Sequence, residues 1–118
     1  WSTLTNFIGG TNSPHGNELK SCRQVNSPLG GVCNTSEDPR WNAFIEYGTD
    51  NYWFSGLPGG YRDSEGNFLL LREVGVWWSS SEDSSGYPVY RQLDKCFGTI
   101  YVNSTSKQYG YSVRCIKD

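Results

Sequence analysis

Residues 57–82 read LPGGYRDSEGNFLLLREVGVWWSSSE, and the pattern of this stretch decides the fold class. Gly59-Gly60 offers a place for close backbone approach or for a positive φ. Asp63-Ser64-Glu65-Gly66-Asn67 has the chemistry of a hairpin turn, with an Asp to accept local N–H groups and a Gly for the left-handed position. The apolar runs Asn67–Leu71 and Val74–Trp78 are β-favouring, so the stretch predicts a buried strand pair around that turn. Neighbours on a strand point to opposite faces, so one of Trp77 and Trp78 is expected in the core and the other partly exposed. The Ser79-Ser80-Ser81-Glu82 cluster is expected to lock the strand to the loop region.

Working outward, Val89–Leu93, Thr99–Asn103 and Tyr111–Ile116 read as further short strands parted by Gly, Asp or Ser clusters. At the front, WSTLTNFIGG places Trp1, Leu4, Phe7 and Ile8 at helical spacing, with Gly9 as a stop. Residues 11–40 lack periodicity and carry Pro14, Pro28, Pro39 and Gly30-Gly31, so they predict a long loop that needs fastening. Trp41–Phe54 alternates aromatic with polar residues and fits either a short helix or an irregular crossing. The sequence has no internal repeat and no second boundary. The expectation is one α+β domain over residues 1–118.

Composition narrows the function. The 118 residues carry 10 Lys and Arg against 12 Asp and Glu, a net charge of −2. Basic residues are scattered singly, which argues against a nucleic-acid stripe and against a polybasic membrane patch. No run approaches the roughly 18 apolar residues that a spanning helix needs. The chain opens on Trp1 and contains no Met, which reads as a mature or trimmed piece of something longer. Its four cysteines do not have metal-site spacing. They predict two disulfides formed in an oxidising compartment, with Cys22–Cys33 and Cys96–Cys115 favoured because each closes a short loop worth roughly 3 kcal/mol. The rival is a free thiol pair, for which the single histidine, His15, supplies no neighbouring base.

The ordered series LPGGYR (57–62), Gly66-x-Phe68, WWSSSE (77–82), Tyr90-Arg91-x-Leu93 and the closing GYSVRCIKD resembles the Fibrobacter succinogenes major paralogous domain family. Its known setting is the secreted and lipid-anchored proteins of Bacteroidetes-like bacteria. WSTLTNFIGG, Leu19-Lys20, the CRQVNSPLGGVC insert and Pro39-Arg40-Trp41 fit the same family. The resemblance implies an extracellular or outer-surface location in a bacterium. It further implies a C-type-lectin-like domain: an N-terminal helix, a long disulfide-pinned loop and twisted antiparallel strands, akin to the formylglycine-generating enzymes. Members carry a C-P-x-G-W-x-L/V-P-T segment before the helix, and nothing precedes Trp1 here. A cysteine in that segment is a second candidate partner for Cys115, so its pairing with Cys96 stays open.

Catalysis finds little support in the residues. Cys96 and Cys115 invite comparison with the reactive pair of the formylglycine-generating enzymes, but the longer motif around that pair is absent. Glu82-Asp83 and Asp63/Glu65 do not present two carboxylates to one substrate, since adjacent strand residues diverge. DSEGN lacks the full spacing of a calcium loop, so no cofactor is expected and calcium is not indicated. The candidate ligand-binding residues are Trp78, Tyr87, Tyr90, Tyr101, Asn103 and Tyr109, accompanied by Ser84, Ser85, Thr99 and Lys107. Tyr supplies broad contact area at low entropy cost and Ser and Asn adapt their hydrogen bonds, although Tyr and Thr are also ordinary strand formers. In relatives diversified by retroelements this C-terminal part carries the ligand contacts. The leading expectation is a non-catalytic recognition or adhesion module for a glycan or protein at the cell surface. The alternative is a structural or assembly subunit that packs against copies of itself.

Overall fold

The computed structural model describes residues 1–115. Helix α1, Ser2–Ile8, forms where the apolar spacing predicts it, and Gly9 ends it at φ 107° with Gly10 donating to the Thr5 carbonyl. Its apolar side, Leu4 and Ile8 together with the preceding Trp1, packs on the core. A second helix, α2 (His15–Leu19), interrupts the predicted loop. Five residues is too short for a periodic signal, so sequence reading passes over it.

The remaining loop is fastened in two ways. Cys22 and Cys33 form a disulfide, as expected. Gln24 is buried and works as a hub: its N–H donates to Cys33, its carbonyl accepts from Thr35, and its carboxamide donates to the carbonyls of Phe44 and Glu46. Residues 41–54 contain no helix and form an irregular crossing, which resolves the two options left by their sequence.

Five strands follow. β1 (Tyr61–Arg62) and β2 (Phe68–Leu69) make a two-stranded hairpin around Asp63, whose carboxylate accepts the N–H groups of Glu65 and Asn67. β3 (Val74–Glu82), β4 (Pro88–Asp94) and β5 (Phe97–Ser104) form an antiparallel meander. The free edge of β3 is stitched to the rest of the chain, Gly75 to Gly60 and Trp77 to Ser112, while Arg62 pairs with Gly110. Residues 60–62 and 110–112 therefore lie side by side along β3.

One face of the meander makes the core. Trp77, Leu93 and Ile100 pack with Ile8, Leu19 and Trp41, and Trp1, Leu4 and Phe54 close the margin. The rings of Trp1, Phe54 and Trp77 lie 5.4–6.2 Å apart, a separation at which tilted aromatic pairs add stability beyond their burial. Beneath them Lys20 is only 1 % exposed. Its ammonium donates to Asn17 Oδ1 at 2.9 Å and to the Phe97 carbonyl at 2.8 Å, tying α2 to β5.

Four expectations are corrected. The strand pair opened by residues 57–82 is not buried: β2 is two residues long and Phe68 is 85 % exposed, with Leu70 and Leu71 also exposed. Positive φ at Leu70 and Arg72 turns the chain away before a longer ladder forms. The strand expected over Val74–Trp78 is longer, since β3 runs on through the serine cluster to Glu82 with a bulge after Trp78. Cys96 and Cys115 are free thiols, not a second disulfide. Cys96 lies in the β4–β5 turn, on one side of β3, and Ser112 pairs with the other side of β3. The predicted last strand reduces to single bridges at Gly110 and Ser112, and Ile116 lies outside the described residues.

Candidate functional site

The face of the meander opposite the core is the one that collects aromatic residues. Strand register explains how. Trp78 pairs with Tyr90, Val76 with Gln92, Tyr90 with Asn103 and Gln92 with Tyr101. Paired residues share a face and alternate residues return to it, so Val76, Trp78, Tyr90, Gln92, Tyr101 and Asn103 all point the same way. Trp77 points to the core, and the tryptophan pair divides as its sequence predicts.

The segment carrying Tyr109 and Tyr111 runs beside β1 and brings both rings onto this face. Tyr111 is the hub. Its ring centroid lies 4.3 Å from Trp78, 4.9 Å from Tyr90, 5.9 Å from Tyr61 and 6.0 Å from Tyr109. The result is a cleft of about 380 Å³ walled by Tyr61, Tyr90, Tyr109 and Tyr111. Val76 and Leu70 complete its apolar lining, and Gln92 and Thr105 add a carboxamide and a hydroxyl. The volume sits at the lower end of the roughly 300–1,000 Å³ typical of small-ligand sites.

Electrostatically the cleft is neutral. None of its lining residues is Asp, Glu, Lys or Arg. Burial pushes the phenols of Tyr90 and Tyr111 upward, and neighbouring tyrosines push the same way, so both stay protonated. Outside the lining, Lys107 pairs with Glu82 at 2.8 Å, and Arg62 donates to the Gln108 carbonyl at 3.2 Å. Among the described residues, no side-chain hydrogen bond within the protein engages Tyr61, Tyr90, Gln92, Thr105, Tyr109 or Tyr111, while Asn103 Oδ1 accepts only the Ser104 N–H.

Of the candidates drawn from sequence, Trp78, Tyr90 and Tyr109 meet in or beside the cleft. Tyr101 and Asn103 extend the same face along β5, where Tyr101 also meets Phe97 at 6.3 Å. Tyr87 stands apart, half exposed at the β3–β4 hairpin tip with Ser84 and Ser85. That tip is held by Asp83, which accepts from Ser104 Oγ and from the N–H groups of Tyr87 and Ser85. These bonds, Ser104 first, hold its carboxyl below the usual range. Thr99 is half-buried on β5 and lies outside the cleft lining. Sequence reading missed Tyr61, Tyr111 and Gln92. The two-residue alternations Val76/Trp78, Tyr90/Gln92 and Tyr109/Tyr111 were the available signal.

A second hollow, about 320 Å³, opens where Trp77 meets Ser55, Ser112 and Arg114. Arg114 lies 4.2 Å over the Phe54 ring and donates to the Phe54 carbonyl, so its guanidinium is already engaged. Among the described residues no group of three or more His, Cys, Asp or Glu side chains is placed to hold a metal ion. Among the described residues no helix is long and apolar enough to cross a membrane.

The family model described as the Fibrobacter succinogenes major domain matches residues 1–117. No curated protein and no solved structure matches the chain. The chain belongs to the Fibrobacter succinogenes major domain family.

Proposed function

We propose that this member of the family is a non-catalytic extracellular recognition or adhesion module, of C-type-lectin-like kind, that binds a glycan or protein at the bacterial surface. The observation that carries the reading is the aromatic face. Four tyrosines wall a neutral cleft beside Trp78, with polar groups that no hydrogen bond within the protein uses. Rigid rings give contact area at little cost in entropy, and a pocket with a few convergent polar groups is the usual form of a ligand site. The Cys22–Cys33 bond supports an oxidising location. Two of the cleft phenols, Tyr90 and Tyr111, are shifted away from neutrality, the reverse of what acid–base catalysis needs.

A second reading has its own observation. Phe68, Leu69, Leu70 and Leu71 are exposed together on the β1–β2 hairpin. An exposed apolar run of this kind suits assembly with another chain.

One experiment separates the two. The oxidised domain is screened on a combined glycan and surface-protein array, and its self-association is followed by sedimentation equilibrium. The recognition reading expects array binding that Tyr101→Ala with Tyr109→Ala abolishes and Phe68→Ser with Leu71→Ser preserves. Silence on the array, together with an oligomer that the Phe68→Ser/Leu71→Ser variant dissolves, would replace it with the assembly reading.

A further inference from the structure

We infer that the cleft takes an uncharged oligosaccharide, held by stacking on tyrosine faces and by paired hydrogen bonds to sugar hydroxyls. This inference rests on the reading of the aromatic face as a recognition surface, and adds the chemical class of what it recognises.

The cleft gives no reward to a charged ligand. A uronate, a sulfated sugar or a phosphate would enter a site whose lining holds no cation. It would surrender its hydration without a charged partner, which is costly. The two shifted phenols remain neutral donors at any physiological pH. An acidic or basic peptide fails for the same reason. An extended peptide bound by strand addition needs free main-chain N–H and C=O groups. Here β4 is paired on both sides, and Ser112 accepts from the Trp78 N–H and donates to the Val76 carbonyl on the outer side of β3, so no strand edge is open beside the cleft; the open edge is the outer side of β5, across β4 from Tyr61 and Tyr111.

What the cleft does offer is a matched set. Leu70 and Val76 with the tyrosine faces provide an apolar floor and walls. Gln92 carries a donor and an acceptor side by side, and Thr105 and the phenols each both donate and accept. A neutral pyranose needs this pairing: an apolar face of C–H groups, with hydroxyls around its rim that also donate and accept. A proline-rich peptide shares the liking for aromatic grooves. Its backbone presents acceptors only along the proline run, so half of the Gln92 amide would go unpaired, and an unpaired buried polar group is penalised. The cleft's size admits a sugar unit or two, so the protein reads part of a longer chain.

The test is a two-dimensional amide NMR titration of the oxidised domain. The probes are cellohexaose, maltohexaose, laminarihexaose and mannohexaose, with hexagalacturonate and decaproline as the charged and peptide counterparts. The expected result is saturable movement of the amides of Val76, Trp78, Gln92 and Tyr111 by at least one neutral hexaose, unchanged between low and high salt. Gln92→Ala should weaken that affinity about tenfold, the loss of one good polar contact, with the spectrum otherwise folded. Tyr87→Ala should leave it unchanged. Movement of the same amides by decaproline or hexagalacturonate alone would overturn the sugar class while keeping the face as a recognition surface. A hexaose that moves only remote amides, such as those of the exposed Tyr52 and Trp53, would overturn the cleft as the site. If no probe moves the cleft amides, the inference is wrong.

Discussion

Lys20 is the buried charge from which the sharpest stability prediction follows. Burial pulls its ammonium down from 10.5 to about 8, against the opposing pull of Asp94 and Glu46. The unfolded chain keeps this proton until pH 10.5, so between pH 8 and 10.5 the unfolded state binds more protons. Stability therefore rises with pH across that window, and the cost of burying the charge is felt in full below it. Integrated from pH 7 to pH 10, the gain is about 2.5 kcal/mol. Lys20→Met removes the titration and keeps most of the volume. The unfolding free energy of the parent minus that of this variant should thus rise by about 2.5 kcal/mol from pH 7 to pH 10, whatever its starting sign. Urea unfolding followed by tryptophan fluorescence measures the difference at each pH. Both proteins should carry Cys96→Ser and Cys115→Ser, since thiolates formed at high pH would attack the Cys22–Cys33 bond. A difference, parent minus variant, that stays constant or falls over that range would refute the reasoning.

Three further outcomes follow from single contacts. Cys33→Ser opens the Cys22–Cys33 loop and should cost about 3 kcal/mol in chemical denaturation, the loop-closure value for this length. Gly16→Ala, usually a stabilising change in a helix, should instead cost about 1–3 kcal/mol in a thermal melt. Its Cβ would lie 2.6 Å from the Gly98 carbonyl oxygen and 2.8 Å from that of Thr99, where α2 meets β5. Arg91 shares the core face with Trp77, and its Nε and Nη1 are buried without a partner. Burial alone pulls its pKa down. Arg91→Met should raise the melting temperature or leave it unchanged, since nothing is unpaired by the exchange. A loss of several degrees would show that the guanidinium does bond.

Local signals foretold what local physics decides. Helix α1 followed from the spacing of Trp1, Leu4, Phe7 and Ile8 and the stop at Gly9, although Phe7 stays exposed. The division of Trp77 and Trp78 between two faces followed from strand geometry. The Asp63 turn and the Cys22–Cys33 bond were equally legible. What failed were inferences about burial and long-range partners. Phe68–Leu71 is apolar enough for a core strand, but its burial depends on another element covering it, and none among the described residues does. Cysteine parity suggested a second bridge, while the distance between Cys96 and Cys115 is set by how residue 112 meets β3. The site showed the same limit. Trp78, Tyr90, Tyr101 and Asn103 could be named from strand-rich composition. Tyr61 and Tyr111 meet only because Arg62 pairs with Gly110, a contact across 48 residues that local pattern does not encode.

The central claim is that recognition occurs on the face around Tyr111, opposite the Trp77 core. Hydroxyl-radical footprinting of the domain, free and bound to its strongest array ligand, tests it most directly. Side-chain oxidation should fall on binding at Tyr61, Tyr101 and Tyr109, and stay unchanged at Tyr52, Trp53 and Phe68. Protection confined to Tyr52 and Trp53, or to the Phe68–Leu71 hairpin, would contradict the account.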